Sequence, residues 1–257
     1  MISSSSLSLR AKLLAGQTVL GPLLPLDSPM LVELCGIAGF DFIFLDTEHG
    51  ALLHPSYENL MRAADATSMS TIVRVAADQP IEIGRALDAG AQGIHVPFVE
   101  HAGQAQEIVK AAHFYPVGQR GLGPVRAARY GFTSFRDYVE RALEQTLVVV
   151  AIEHPAAIDQ IPSIAAVPGV DVIFIAPADL STMLGHPGDV NHPDVAGTID
   201  RALTAAHQTG KVVGSLAWSP EHARQLASRG VQYILMVLTS VIVRGAQEWL
   251  TAARPQV

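Results

Sequence analysis

Short apolar runs of four to six residues recur along the chain, each followed by a turn and then a stretch with helical spacing. The runs are β-branched or aromatic and mostly uncharged, as strands buried on both faces should be. They predict strands at Thr18–Leu23, Phe42–Asp46, Thr71–Val75, Gly93–Val96, Leu147–Ile152, Val172–Ile175, Val212–Leu216 and Tyr233–Val237. Between them, helices are predicted at Tyr57–Ala66, Ile81–Ala89, Gln104–Ala112, Asp194–Gln208 and Pro220–Ser228. Several stop at a glycine (Gly90, Gly210, Gly230), which suits a left-handed cap. Eight strands alternating with helices predict an α/β fold, a (β/α)8 TIM barrel. No strand leads into G-x-G-x-x-G or a P-loop, so a doubly wound fold and a bound nucleotide are not expected. One interval is irregular: about fifty residues separate the fourth and fifth strands, including Tyr115–Pro124, read as a functional loop on the strand-exit side.

The 257 residues suit one barrel domain over 1–257, with 1–8 expected to be a flexible N-terminal tail containing Ser3–Ser6. Hydrophobic residues make up 49% and charged residues only 16%, which excludes disorder as the main state and hints at surface buried in an oligomer. The net charge of −7 and the lack of a Lys/Arg run argue against nucleic-acid or membrane partners. Cys35 is the only cysteine, which excludes a disulfide framework and a cysteine-based zinc site. Met1–Arg10 lacks the basic flank and apolar core of a signal peptide, and Ile234–Leu238 is too short to span a bilayer. A cytoplasmic protein is expected.

Barrel enzymes carry their chemistry at the carboxyl ends of the strands. Here the second strand delivers Asp46-Thr47-Glu48-His49-Gly50, the third Arg74, the fifth Glu153-His154-Pro155 and the sixth Ala176-Pro177-Ala178-Asp179. Each residue has a plain structural reading. Asp179 could be an N-cap, Glu153 a buried acid neutralised by Arg74, and His49 a surface loop histidine. Seven further histidines, His54, His101, His113, His186, His192, His207 and His222, read as structural or exposed. The joint occurrence carries more weight than any one residue.

Two carboxylates with open positions suit a hard divalent cation that takes further oxygens from a 2-oxo acid. Chelation would polarise the ketone and stabilise an enolate, and Arg74 would add fixed positive charge there. An imidazole such as that of His49 suits proton transfer near neutrality. The turn at Ala176–Asp179 would offer helix N-terminal amides to the substrate carboxylate. A Schiff base needs a placed lysine, and neither Lys12, Lys110 nor Lys211 falls at a strand's carboxyl end.

These residues resemble the HpcH/HpaI aldolase family, the metal-dependent class II pyruvate aldolases. The resemblance runs from Leu14-Ala15-Gly16 to the last helix. Its motifs are Ala38-Gly39-Phe40-Asp41, Leu45 to Gly50, Val73-Arg74-Val75, Leu87 to Gly93, Arg120-Gly121-Leu122-Gly123, Ile152-Glu153 and Pro177-Ala178-Asp179-Leu180-Ser181. It implies that Glu153 and Asp179 bind the metal (Mg2+, Mn2+ or Co2+), that Arg74 steadies the pyruvate enolate, and that His49 is the acid/base. It also implies that Asp46 and Asp88 orient His49, with Asp88 reaching the site from an adjacent subunit. Ala176 and Leu216 match positions lining the pyruvate site. The implied activity is reversible aldol cleavage of a 4-hydroxy-2-oxo acid to pyruvate, or a related 2-oxo acid, and an aldehyde, by a trimer or hexamer. Four positions depart from the family pattern: Ala176 in place of glycine, His154 in place of threonine, Leu23 in place of an aromatic, and Val237-Leu238-Thr239 in place of Gly-x-Asp.

Two other readings compete with this one. A relative of the citrate lyase β-subunit acting on other oxo acids or acyl-CoA thioesters would want a basic patch for phosphates. Only Arg120, Arg126 and Arg129 approach one. A non-catalytic binding role would not require Glu153, Asp179, Arg74 and His49 together.

Overall fold

The computed structural model describes residues 7–52, 56–75 and 79–254. Its centre is a closed, all-parallel barrel in which β1 (Val19–Leu24), β2 (Phe42–Asp46), β3 (Ser70–Arg74), β4 (Gly93–Val96), β5 (Leu147–Ile152), β6 (Val172–Ile175), β7 (Val212–Ala217) and β8 (Tyr233–Val237) follow in chain order. Five strands have the predicted bounds, and the rest differ by one residue at one or both ends.

Side chains alternate across each strand, and this parity sorts the core into two layers. Phe42, Phe44, Ile72, Val149, Ala151, Phe174, Tyr233 and Leu235 fill the barrel interior. Ile43, Leu45, Val73, Val148, Val150 and Ile173 face outward, against the helices. A short helix absent from the sequence prediction, α1 (Leu9–Leu14), puts buried Leu9 and Leu13 against the interior cluster beside Val19. Ser8, expected in a flexible tail, caps α1 by accepting from the Ala11 amide at 3.2 Å. Residues 1–6 of that expected tail lie outside the described residues.

The outer layer contains α2 (Pro29–Ala38), α3 (Tyr57–Ala66), α4 (Pro80–Ala89), α5 (Ala102–Ala112), α6 (Phe135–Gln145), α7 (Ile161–Ala165), α8 (Pro177–Met183), α9 (Pro193–Gln208), α10 (Pro220–Ser228) and α11 (Leu238–Ala253). Gly90, Gly210 and Gly230 have φ of +112°, +72° and +85°, as the glycine stops predicted. The long β4–β5 interval differs from expectation. Besides α5, which matches the helix predicted at Gln104–Ala112, it contains a 3-10 turn at Arg126–Gly131 and α6. Because α5 carries the chain back before Tyr115–Pro124 begins, that loop lies at the end of the barrel opposite the strand exits. The Gln119 amide bonds the Lys110 carbonyl there, and Arg120 pairs with Asp88 near the end of α4.

Candidate active site

The parity that fills the interior also aims the next inward position of several strands into the barrel mouth. Asp46 continues Phe42 and Phe44, Arg74 continues Ile72, Glu153 continues Val149 and Ala151, and Ala176 continues Val172 and Phe174. All four are buried, Asp46 at 1% and Glu153 at 3% exposure. Leu23 and Leu216 pack on the same interior cluster, half-buried.

Arg74 and Asp46 form a two-bonded pair, Nε to Oδ1 at 2.8 Å and Nη2 to Oδ2 at 2.6 Å. Arg74 Nη1 reaches Glu48 Oε2 at 3.0 Å. A guanidinium has five N–H donors, so two remain for an incoming oxyanion after these three contacts. Burial pushes the Asp46 carboxyl upward, but Arg74 and the amides of His49 and Glu48 outweigh it and hold the group below its ordinary range. For Arg74, burial opposes the charge while Asp46, Glu48 and Glu153 more than restore it.

The turn after β2 is built around the Asp46 carboxylate, whose Oδ1 accepts from the amides of Glu48 at 3.0 Å and His49 at 3.2 Å. Thr47 Oγ1 donates to the Arg74 carbonyl at 2.6 Å and ties the turn to β3. Gly50 closes it. A Cβ there would stand 2.6 Å from the backbone oxygens of both Asp46 and Pro25, so no larger residue fits. Asp46 therefore positions His49 through its backbone, and the imidazole is exposed at the mouth.

Glu153 faces the opposite electrostatic situation. Burial, then the charges of Asp179 and Glu48, push its carboxyl up to about 8, against the pull of Arg74 and the Phe98 amide. Phe98 adopts φ +53°, a conformation disfavoured for a side chain of its size, and its amide is the one supporting Glu153. Asp179 lies in the first turn of α8, where Ala176 is the N-cap and Pro177 has no N–H to offer. Two carboxylates converge here without their own cation, because Arg74 is engaged by Asp46 and Glu48. This donor set of hard oxygens with uncompensated negative charge fits a divalent cation.

The profile described as HpcH/HpaI aldolase/citrate lyase matches residues 20–242. The chain belongs to that family. This HpcH/HpaI protein is 35% identical over 237 residues to a 2-dehydro-3,6-dideoxy-6-sulfogluconate aldolase of Pseudomonas putida, covering 91% of this chain and 92% of the relative. It is 33% identical over 245 residues to a 4-hydroxy-2-oxo-heptane-1,7-dioate aldolase of Escherichia coli, covering 95% and 94%. Among solved structures, a family protein from Burkholderia cenocepacia superposes with a TM-score of 0.90 at 35% identity, covering 96% of this chain and 99% of the other. A citrate lyase beta subunit from Mycobacterium tuberculosis, complexed with oxaloacetate and magnesium, shares the fold at 19% identity and a TM-score of 0.58, covering 88% of this chain and 93% of that one. The family is metal-dependent.

Within the HpcH/HpaI protein, the structure brings Asp46, Arg74, Glu153, Ala176 and Asp179 to one barrel mouth, beside His49. Asp88 is not among them. It sits near the end of α4, paired with Arg120 at 2.7 Å and 37% exposed. Glu48 and Phe98 act on the site although sequence reasoning gave them no role. Glu48 stood inside a recognised motif, whereas Phe98 carried no signal because its contribution is a backbone amide. His101, His154 and His192 serve as N-caps, His113 is buried, and His54 lies outside the described residues.

Proposed function

We propose that this protein catalyses the reversible, divalent-metal-dependent cleavage of a 4-hydroxy-2-oxo acid to pyruvate, or a related 2-oxo acid, and an aldehyde. The observation that carries this reading is the pairing of a cation-seeking Glu153/Asp179 set with an arginine held rigidly beside it. When bound, Mg2+, Mn2+ or Co2+ would act as a Lewis acid on the 2-oxo group.

The chain's own residues would do the rest. Glu153 and Asp179 hold the cation. Arg74 turns its two remaining N–H groups towards the oxygen that gains charge as the C3–C4 bond breaks, and the Asp46 clamp supplies that orientation in advance. His49, acting through water, takes the proton from the C4 hydroxyl during cleavage and returns it during condensation. The bonding pair of C3–C4 becomes the enolate of the 2-oxo product, and protonation at C3 completes it. Ala176 and Leu216 line the pyruvate end, with the amides at the head of α8 towards its carboxylate. The amines of Lys12, Lys110 and Lys211 bond Asp41, Glu107 and the Val170 carbonyl, away from the mouth. Arg120 and Arg126 are committed to Asp88 and Asp65, which counts against a phosphate patch for coenzyme A.

A homo-oligomer, trimer or hexamer, completes this reading. The outer face of β1 and β8 opens into an apolar groove of about 370 Å3 lined by Leu20, Ile234, Met236 and Val241. Helix α11 forms one wall of it and exposes Ile242, Val243, Trp249 and Leu250. Asp88 would reach a neighbouring subunit's His49 from the opposite end of its own barrel. Among the described residues no helix is long and apolar enough to cross a membrane, and a cytoplasmic location is part of the proposal. The deciding experiment strips the protein with EDTA and follows pyruvate release from 4-hydroxy-2-oxo acids as Mg2+, Mn2+ or Co2+ is restored. Activity that survives EDTA, or that no cation restores, would refute the reading.

A further inference from the structure

Away from the barrel mouth, the segment joining α8 to α9 gathers a second set of metal-ligand groups. His186, His192 and Asp194 each offer one donor atom, and these atoms all lie within 4.8 Å of one another. The two imidazoles stack with centroids 3.5 Å apart and planes 15° from parallel. His192 Nδ1 stands 3.8 Å from Asp194 Oδ2. Tetrahedral zinc with bonds of about 2.0–2.1 Å to nitrogen and oxygen sets its donors about 3.4 Å apart. The His192–Asp194 spacing is close to that edge, and the donor of His186 lies within 4.8 Å of both, so the imidazoles must turn out of their stack for all three donors to converge on one ion.

The segment is built rather than loose. The Ser181 hydroxyl, fully buried, donates to the Ala178 carbonyl and accepts from the Gly188 amide at 2.9 Å. The His186 amide bonds the Ser181 carbonyl at 2.8 Å. Gly185 and Gly188, at φ +81° and +77°, supply the turns that swing His186 onto His192. His192 caps α9, its Nδ1 accepting from the Asp194 amide at 3.3 Å, long enough for a metal to displace the contact. The Asp194 carboxylate offsets the unfavourable placement of a cation at a helix N-terminus.

We propose that His186, His192 and Asp194 form a binding site for a borderline-soft divalent cation of the Zn2+ class, separate from the hard-cation pair Glu153/Asp179. Two imidazoles and one carboxylate, with water in the fourth position, is a nitrogen-rich set that selects Zn2+ over Mg2+. The bound ion staples the segment from Gly185 to His192 onto α9, and through Ser181 steadies the short helix that carries Asp179.

The test uses the full-length protein stripped of metal, with Zn2+ and Co2+ as probes. Wild type should take up two Zn2+ per chain and Glu153→Gln one, with Co2+ in that variant showing the visible absorption of a tetrahedral site. His186→Phe retains the ring stack without a donor, and His192→Asn retains a helix cap. Each should weaken this Zn2+ binding by more than the roughly 10- to 100-fold that loss of an outer-shell partner costs. In the Glu153-intact protein, both variants should keep Mg2+-supported turnover, and each combined with Glu153→Gln should lose the rise in melting temperature that Zn2+ gives Glu153→Gln alone. Undiminished binding in His186→Phe, or no stoichiometric Zn2+ in Glu153→Gln alongside only one equivalent in wild type, overturns the site.

Discussion

Asp46 and Arg74 are direct register partners on adjacent strands, and their side chains meet inside the barrel in a bidentate pair exposed to solvent by 1% and 10%. The same Asp46 carboxylate organises the turn that carries His49. One buried acid thus sets the position of both the proposed oxyanion donor and the proposed proton carrier.

Arg74→Ala should therefore fail in two ways. Loss of an oxyanion partner costs on the order of 10²–10³ in rate. Leaving Asp46 buried without its cation costs up to on the order of 3–5 kcal/mol of stability. Arg74→Lys should rescue part of the stability and little of the rate, since a point charge cannot reproduce the fork. Melting curves and cleavage rates on the same preparations separate the two effects, and equal recovery of both would refute the orienting role.

Glu153→Gln should abolish cation binding at the mouth together with cleavage, and the metal-free protein offers a second readout. The Glu153 carboxyl sits at about 8 against the usual 4.5. The folded chain keeps a proton that the unfolded chain has released between these values. Stability of the stripped protein should accordingly fall as pH rises from about 4.5 towards 8. The variant should lose that slope, and added Mg2+ should flatten it in wild type. Thermal melts across this range, on both proteins without metal, check the sign.

His49→Ala is expected to lower cleavage by about 10²–10⁴-fold with cation and pyruvate binding largely kept. Its rate profile against pH should lose the limb that the imidazole supplies. A solvated loop histidine would leave that profile unchanged.

Gly50→Ala tests the turn itself. Its Cβ would meet the backbone oxygens of Asp46 and Pro25 at 2.6 Å, and these sit at the ends of β2 and β1, so neither can move without disturbing its strand. We expect a loss of activity comparable to that of His49→Ala together with a lowered melting temperature. A variant with normal activity would show that the turn need not hold its shape.

Asp88→Asn probes the proposed assembly. If Asp88 serves a neighbouring subunit, mixing inactive Asp88→Asn and inactive Glu153→Gln proteins under subunit exchange should regain activity, because some interfaces then pair an intact Asp88 with an intact Glu153. Mixtures no more active than their parts would confine each site to one chain.

The sequence by itself determined the barrel and most of the mouth. A run such as Leu147–Ile152, with Val148, Val149 and Val150 in succession, reads as a doubly buried strand, and inward parity then aims Asp46, Arg74 and Glu153 at one another. Glycine stops at Gly90, Gly210 and Gly230 were equally legible, because left-handed backbone selects that residue locally. Contacts between residues distant in sequence were decided only in three dimensions. Tyr115–Pro124 went to the far end of the barrel because α5 first reverses the chain, a consequence of the predicted Gln104–Ala112 helix that the strand-exit reading of the loop left out. Phe98 supports Glu153 by a backbone amide, which nearly every residue type possesses. The pairing of Arg74 with Asp46, rather than with Glu153, depended on strand register and on the greater stability of a two-bonded geometry over a longer-range charge contact.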